Sequence, residues 1–177
     1  MSTEALFENT TRHLNAIDLC IKNKLRMPAL ILVYSGIDIL AALNRPEGKE
    51  EGTRKDFKDW CEKYMLSNQQ LPCSSSDLYS ARCGVVHSYS SQSRLTRNKE
   101  AKEIVYSWGN QSPEPLKDIL NSIDYPAHVL HVETLVDVFK AAVNDFLEEV
   151  GKDNSRIKLV LERAAKLFKD QPKDYWR

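Results

Sequence analysis

Apolar residues recur at helical spacing along most of the chain, and this period limits the possible folds more than any other feature of the sequence. The clearest stripe follows Thr53, a residue type that caps helices. It matches the i, i+3, i+4, i+7, i+8 template at every position: Phe57, Trp60, Cys61, Tyr64 and Met65. Such a stripe has to be covered by other elements, so the sequence predicts a mainly helical fold with a buried core.

The same spacing predicts two long helices before this stripe. The first has these apolar residues at helical spacing: Leu6, Leu14, Ile17, Ile21 and Leu25. The second begins near Pro28 and stays largely apolar through Leu43. The charged segment 44–52 that follows contains Pro46 and two glycines, so we predict that it is an exposed loop.

Two further helices are predicted near the end of the chain. The first spans residues 133–151, where Gly151 is expected to follow the last turn in the left-handed conformation. The second spans residues 157–168 and buries an apolar stripe. Beyond it, Tyr175 and Trp176 are expected to pack as a tail, with docking onto a partner as the alternative.

Two short segments in the second half are typical of β-strands. Residues 103–108 and 128–132 are rich in β-branched and aromatic side chains. A small helix lies between them and has four apolar residues on one face: Leu116, Ile119, Leu120 and Ile123. We therefore predict a two-stranded element with a helical crossover. The length of 177 residues indicates that all of this belongs to one domain, 1–177.

Charge and composition exclude several function classes. Lys and Arg together number 25, as do Asp and Glu, which excludes a broadly basic nucleic-acid-binding surface and makes any polyanion site local. The first residues do not resemble a secretory signal. The longest apolar stretch, 28–43, is shorter than the roughly 20 residues that a membrane crossing needs. These features predict a cytoplasmic protein without a membrane segment.

The sequence contains no recognisable metal-binding or cofactor-binding pattern. Its four cysteines are separated and form no C-x-x-C pair: Cys20, Cys61, Cys73 and Cys83. We expect them to be reduced thiols, mostly buried. His128 and His131 have i, i+3 spacing, but they flank a predicted strand, so a structural role is expected for each. The prediction is that the protein uses no metal and no cofactor.

The helix predicted over residues 77–89 differs from the others. Four of the positions in and after it fall one turn apart and are small or polar: Ser80, Gly84, His87 and Ser91. Glycine inside a helix costs about 1 kcal/mol relative to alanine, so close packing is expected to compensate for it. A ridge of such small residues would allow another helix or a ligand to approach closely.

This helix contains the string RCGVVHSY, which places Arg82, His87 and Tyr89 in an Arg-x4-His-x-Tyr arrangement. The arrangement resembles the HEPN superfamily, whose ribonucleases carry an Arg followed after four to six residues by a His. It is most similar to HEPN toxins that pair with a nucleotidyltransferase antitoxin. About 0.01 such matches are expected by chance in a chain of this composition. Cys83 departs from the family pattern, because many members have a polar residue after the Arg.

The resemblance implies a HEPN-like helical bundle and a metal-independent endoribonuclease that belongs to a toxin or defence system. Arg82 would bind phosphate and stabilise the transition state, and His87 would act as general acid or base. Tyr89, Ser88 and Cys83 would support them. The resemblance also implies a homodimer through the motif helix, an RNA substrate and an antitoxin such as a nucleotidyltransferase.

The residue types suit this chemistry. RNA supplies its own nucleophile, the 2′-hydroxyl. Cleavage therefore needs a group that accepts or donates a proton near neutral pH, and histidine is such a group. It also needs a cation that binds the phosphate, and arginine supplies one. Five residues along a helix leave Arg82 and His87 roughly 140° apart. One helix alone would therefore aim them poorly, which favours a site completed by a second copy.

The second predicted helix supplies candidates that would hold these groups in place. Tyr34 and Asp38 lie i, i+4 on one face of an otherwise apolar segment. A buried aspartate needs a partner, and we expect Arg82 to be that partner.

A basic segment follows the motif and contains four cations that could bind RNA phosphates: Arg94, Arg97, Lys99 and Lys102. A solvated basic loop is the alternative interpretation. Two functional alternatives also remain open for the whole protein. It could be a catalytically inactive HEPN-like module that binds a protein or nucleotide partner, or a structural subunit in which the motif helix only forms the dimer interface.

Overall fold

The computed structural model of the chain describes residues 2–67, 70–110 and 112–167. These residues form eight α-helices and a small parallel sheet, which confirms the predicted mainly helical fold with a two-stranded element in its second half. The helices are α1 (Thr3–Lys22), α2 (Arg26–Leu43), α3 (Arg54–Trp60), α4 (Ser75–Ser88), α5 (Arg94–Arg97), α6 (Glu114–Ser122), α7 (Val132–Gly151) and α8 (Asn154–Leu167). The strands are β1 (Glu103–Ser107) and β2 (Ala127–His131).

Helix α2 is the centre of the bundle. It packs against five other helices, namely α1, α3, α4, α7 and α8. A helix that is apolar on nearly all sides has to be surrounded by other elements, and α2 satisfies this requirement. By length and composition α2 could also cross a membrane, but half of it is buried inside the fold, as in the core helix of a soluble protein. Asp38 is the only acidic residue on it.

The stripe predicted after Thr53 is confirmed, because all five of its residues are buried. The backbone amide of Thr53 donates to Asp56 Oδ2 at 2.7 Å and forms part of a capping box that begins α3. The end of the stripe was not predicted correctly, since residues Cys61–Met65 form a π-helical turn rather than ordinary α-helix. The Trp60 ring is fully buried and lies 6.3 Å from the ring of Phe146.

Several predicted helix boundaries are wrong by a few residues. Helix α2 begins two residues before Pro28, which is possible because proline is tolerated in the first turn of a helix. Leu25 therefore does not belong to the apolar face of α1; it precedes α2 and is 50% exposed. Gly151 is the last residue of α7 and does not have a positive φ.

Some predicted features fall on parts of the chain outside the description. Phe168, the last residue of the predicted final helix, and the proposed tail residues Tyr175 and Trp176 lie outside the described residues. The segment 44–52 is a loop, as predicted. It is held by Arg163, which donates to the backbone carbonyl oxygens of Leu43, Arg45 and Pro46.

The two strands pair in parallel, with Ile104 opposite His128 and Ser107 opposite His131. They are connected by α6, so the predicted strands and the helical crossover are confirmed within one residue at each boundary. His131 ends β2 and directly precedes α7. The apolar face of α6 is poorly covered by the rest of the fold, since none of the residues of α6 is buried.

The motif helix α4 starts earlier than predicted, at Ser75, because Ser74 caps it. Ser74 Oγ accepts a hydrogen bond from the amide of Asp77 at 3.2 Å, and Asp77 Oδ2 accepts from the amide of Ser74 at 2.9 Å. This reciprocal pair satisfies two backbone donors at the helix start. The other end of α4 is closed by Tyr89, whose φ of 50° is left-handed. Contacts with α2, α3 and β1 fix the helix in place.

Candidate active site

The small residues of α4 pack against the chain that follows the helix. Ser80 is fully buried and its hydroxyl lies 2.7 Å from the hydroxyl of Ser93. A Cβ atom at Gly84 would lie 2.4 Å from the carbonyl oxygen of Ser90. Ser91 is beyond the end of α4. These contacts confirm the expected close packing at Gly84, and the partner is the chain's own segment after α4, which covers both Ser80 and Gly84.

Arg82 and Asp38 form the ion pair that the sequence predicted. The Arg82 side chain points towards α2, where Nε and Nη2 each lie 2.7 Å from Asp38 Oδ2. Both side chains are largely buried, with 21% of Arg82 and 33% of Asp38 exposed. A carboxylate on an otherwise apolar helix and a guanidinium on the neighbouring helix thus compensate each other.

Arg82 also contacts His87 within the same chain. Its Nη1 lies 2.9 Å from His87 Nε2. The expectation that one helix aims these two residues poorly is wrong. Their Cα atoms are only about 7.5 Å apart along the helix axis, and the long arginine side chain spans both this distance and the angular separation. One guanidinium therefore joins Asp38 and His87.

This contact determines which nitrogen of the neutral His87 ring carries the proton. Arginine N–H groups can only donate hydrogen bonds, so Nε2 of His87 must accept. The proton of the neutral ring is then on Nδ1. In this arrangement the Nε2 lone pair is occupied by Arg82, and it becomes available as a base when Nη1 turns away.

Burial and the contact with the partner have opposite effects on the pKa values of Asp38 and Arg82. Burial raises the pKa of the Asp38 carboxyl above its ordinary value, while the hydrogen bond and the charge of Arg82 lower it in part. Burial lowers the pKa of Arg82, but its hydrogen bond to Asp38 outweighs this, so the guanidinium holds its proton more tightly than an ordinary arginine. Arg82 is thus a permanent, oriented cation.

A cavity of about 290 Å³ opens beside this pair. Its lining includes Asp38, Arg82, Arg54 and Tyr79. The Arg54 guanidinium lies 5.3 Å above the Tyr79 ring, and the Phe57 ring packs edge-on against Tyr79 with centroids 5.4 Å apart. The cavity therefore has two arginines, one of them stacked on an aromatic ring.

The sequence interpretation missed both Arg54 and Tyr79. Tyr79 lies three residues before Arg82 on α4, and this i, i+3 spacing could have indicated that the two share a face. Arg54 comes from the first turn of α3, and nothing in the sequence places that turn beside α4.

The predicted supporting residues occupy different positions. Cys83 is half-buried next to Tyr79; burial first, and then the Cys83 thiol, raise the pKa of Tyr79. Tyr89 is 64% exposed, and Ser88 is also exposed. Tyr34 does not support the site, since its hydroxyl lies 2.5 Å from that of Tyr106 in the core. Of the predicted supporting residues, Asp38 therefore lines the cavity itself, and Cys83 contacts another lining residue, Tyr79.

The four predicted RNA-binding cations are all exposed. Arg97, Lys99 and Lys102 line a second groove, of about 600 Å³, near the amino ends of the strands, and Arg94 lies at the start of α5 nearby in sequence. Within the part of the chain that the structure describes, none of the four lies within 4.0 Å of a carboxylate. The groove also contains three carboxylates, those of Asp77, Glu100 and Glu103, so its lining has charges of both signs.

The two histidines near β2 have protein partners. His128 Nε2 lies 3.4 Å from Asp77 Oδ2, and His131 Nε2 lies 2.8 Å from the carbonyl oxygen of Gly109. Across residues 2–67, 70–110 and 112–167, no group of three or more His, Cys, Asp and Glu residues is arranged to hold a metal ion.

No family model, no curated protein and no solved structure matches this chain significantly. The assignment of this site therefore rests on the motif and on the geometry around Arg82.

Proposed function

We propose that the protein is a metal-independent endoribonuclease of the HEPN type, with Arg82 and His87 as its catalytic residues. One observation supports this above all others: a single guanidinium is held by Asp38 at 2.7 Å and contacts His87 Nε2 at 2.9 Å. A phosphate-binding cation and a proton-transfer group thus lie side by side. His87 is exposed, and Arg82, with 21% of its side chain exposed, lines the cavity of about 290 Å³.

The proposed reaction begins when a phosphate of RNA reaches Arg82. Its oxygens attract Nη1 away from His87, and the guanidinium remains anchored to Asp38 through Nε. His87 Nε2 then accepts the proton of the neighbouring 2′-hydroxyl. The 2′-oxygen attacks phosphorus, the bond to the 5′-oxygen breaks, and the products are a 2′,3′-cyclic phosphate and a 5′-hydroxyl.

The leaving 5′-oxygen also needs a proton. The attacking and leaving oxygens lie on opposite sides of phosphorus in an in-line reaction, so one imidazole reaches only one of them. We propose that His87 of a second copy supplies this proton, which makes a homodimer through the exposed end of α4 part of the function. The contact would involve the outer face near His87 and Tyr89, since Ser80 and Gly84 face the chain's own segment.

Other residues would bind the rest of the RNA. Arg54 is stacked on Tyr79 in the cavity beside Arg82, and its Nη2 lies 3.6 Å from Glu100 Oε2 on the surface. We propose that a second phosphate of the RNA replaces this exposed contact. The exposed cations Arg94, Arg97 and Lys99, with Lys102, would hold the strand farther away through charge alone. A ribonuclease of this kind would damage its host, so we propose a cytoplasmic toxin or defence component that is controlled by an antitoxin such as a nucleotidyltransferase.

The decisive experiment is cleavage of labelled tRNA and total RNA in excess EDTA. The parent should cleave and leave 2′,3′-cyclic phosphate ends, while His87→Ala and Arg82→Ala should lose at least about a hundredfold in rate. Arg12→Ala is the matched control, because Arg12 is exposed and its ion pair among the described residues is with Glu8 on the same helix. Melting temperature and dimer content are measured for each protein.

One observation favours a second candidate, the inactive binding module: the Nε2 lone pair of His87 is occupied by Arg82. If phosphate does not release it, the site binds RNA or a nucleotide without cleaving it. Binding of RNA without cleavage by the parent, or equal cleavage by the parent and both variants, would reject the ribonuclease.

A further inference from the structure

A groove of about 940 Å³ opens at the carboxyl ends of β1 and β2. Crevices at this end of parallel strands are where α/β units usually bind ligands. The groove is separate from the site around Arg82. One of its residues, Arg26, begins α2, and Asp38 lies twelve residues later, which is about 18 Å along the helix.

The walls of this groove are mainly apolar. Its apolar lining includes Ile21 of α1 and Leu116 and Ile119 of α6. Ile119 is 58% exposed, and α6 has no buried residue in spite of its apolar face. An exposed apolar surface of this kind next to a cavity is typical of a ligand site.

The groove is also lined by two cations, Lys24 and Arg26. The Arg26 guanidinium lies 5.1 Å above the Trp108 ring, which orients it. Among the described residues, neither cation lies within 4.0 Å of a carboxylate. Two cations that form no ion pair among these residues therefore border an apolar groove.

The groove also contains one acidic residue, Glu133. Its Oε1 accepts a hydrogen bond from the amide of Gly109 at 2.9 Å, and its Oε2 lies 3.2 Å from His131 Nδ1. With two cations and one carboxylate, the lining has a formal net charge of +1. Ser107 adds a polar feature. It is 8% exposed and lines the groove, and its hydroxyl has no hydrogen-bond partner among the residues described. A buried hydroxyl without a hydrogen-bond partner is destabilising, and a polar atom of a ligand in the groove would supply the missing hydrogen bond.

We propose that this groove binds an amphipathic organic anion. The apolar body lies between Ile21 and the α6 residues Leu116 and Ile119, and a carboxylate or phosphate head is bound by Lys24 and Arg26. This inference goes beyond the ribonuclease proposal and does not depend on it, because no residue of the groove belongs to the catalytic site.

Two fluorescent dyes with the same ring skeleton test this proposal. The first, 8-anilinonaphthalene-1-sulfonate, carries an anionic head, and the second, N-phenyl-1-naphthylamine, is neutral. The parent should bind one molecule of the anionic dye per chain. Arg26→Gln should weaken its binding about tenfold and leave binding of the neutral dye unchanged. Ile119→Ser should weaken binding of both dyes.

Arg12→Gln is the matched control for the charge change and should not alter the affinity for either dye. Circular dichroism shows whether each variant keeps its fold. Competition with dodecanoate and with 1-naphthyl phosphate then separates the two head groups: displacement by the first identifies an acyl carboxylate, and by the second an aryl phosphate. Equal affinities of Arg26→Gln and Arg12→Gln for the anionic dye, or no displacement by either competitor, would overturn the proposal.

Discussion

Arg82 reaches along its own helix to His87 and places Nη1 2.9 Å from Nε2, while its other edge is bonded to Asp38 on α2. The aspartate binds the edge of the guanidinium group that carries Nε and Nη2, and Nη1 at the opposite edge contacts the imidazole. The position of the proposed phosphate-binding group relative to the proposed proton-transfer group therefore depends on a third residue, from a different helix.

Asp38→Asn tests this dependence. An amide cannot compensate the charge of Arg82, so we expect loss of about 1 to 3 kcal/mol in the free energy of unfolding and a large fall in RNA cleavage. The stability loss is measured by urea unfolding and the cleavage rate in EDTA. Asp18→Asn is the matched control, because Asp18 is exposed and pairs with Lys140 on the surface. Unchanged stability and unchanged cleavage in Asp38→Asn would show that the pair has no role.

Gly84→Ala tests the internal contact of α4. The added Cβ would lie 2.4 Å from the backbone carbonyl oxygen of Ser90, so the following segment has to move. Overpacking of this kind costs about 1 to 3 kcal/mol. Gly151→Ala is the comparison, since the space around that residue is open and alanine favours the helix that it ends. We expect the melting temperature to fall for the first variant and to stay equal or rise for the second. A Gly84→Ala protein as stable as the parent would contradict the close approach.

Much of the fold could be predicted because a helical repeat of apolar residues is a local property of the sequence. The stripe from Phe57 to Met65 needs only the helical repeat, and the partner of Asp38 follows from the cost of an isolated buried charge. The π-helical turn Cys61–Met65 was not predictable in this way, because it has the same apolar pattern as an α-helix.

The site was predicted less completely, for two physical reasons. The angle between two positions on a helix describes only the directions of their Cα–Cβ bonds. The Arg82 side chain is long enough to reach His87 in spite of that angle. The surroundings of Gly84 and Tyr79 depend on tertiary contacts, with the segment after α4 in one case and with Arg54 in the other. Spacing within one element contains no information about either contact.

The stability of the protein in acid should depend on Glu149. Burial would raise the pKa of this carboxyl, but hydrogen bonds from Lys63, Arg156 and Tyr64 outweigh it and hold the pKa at about 2. A carboxyl with a lowered pKa stabilises the fold at pH values above its ordinary pKa, and this contribution is lost as the pH falls towards 2. Urea unfolding at pH 6 and pH 3 should therefore show a smaller difference in Glu149→Gln than in the parent. Glu148→Gln, at a neighbouring and more exposed carboxyl, should behave as the parent does; an equal pH dependence in all three proteins would contradict the prediction.

Arg54 should affect substrate binding more than the chemical step. It lines the cavity beside Arg82 and is stacked on Tyr79, but it contacts neither His87 nor Asp38 within hydrogen-bonding distance in the described structure. Arg54→Gln should therefore raise KM for RNA about fivefold to tenfold and change kcat by less than about twofold, because one phosphate contact is lost and the proton transfer is retained. The dependence of cleavage on salt concentration should also become weaker, since one fewer phosphate is neutralised. Arg12→Gln removes an exposed arginine from α1 and should change neither constant. A fall in kcat with an unchanged KM would place Arg54 in the chemical step and contradict its assignment as a phosphate-binding residue.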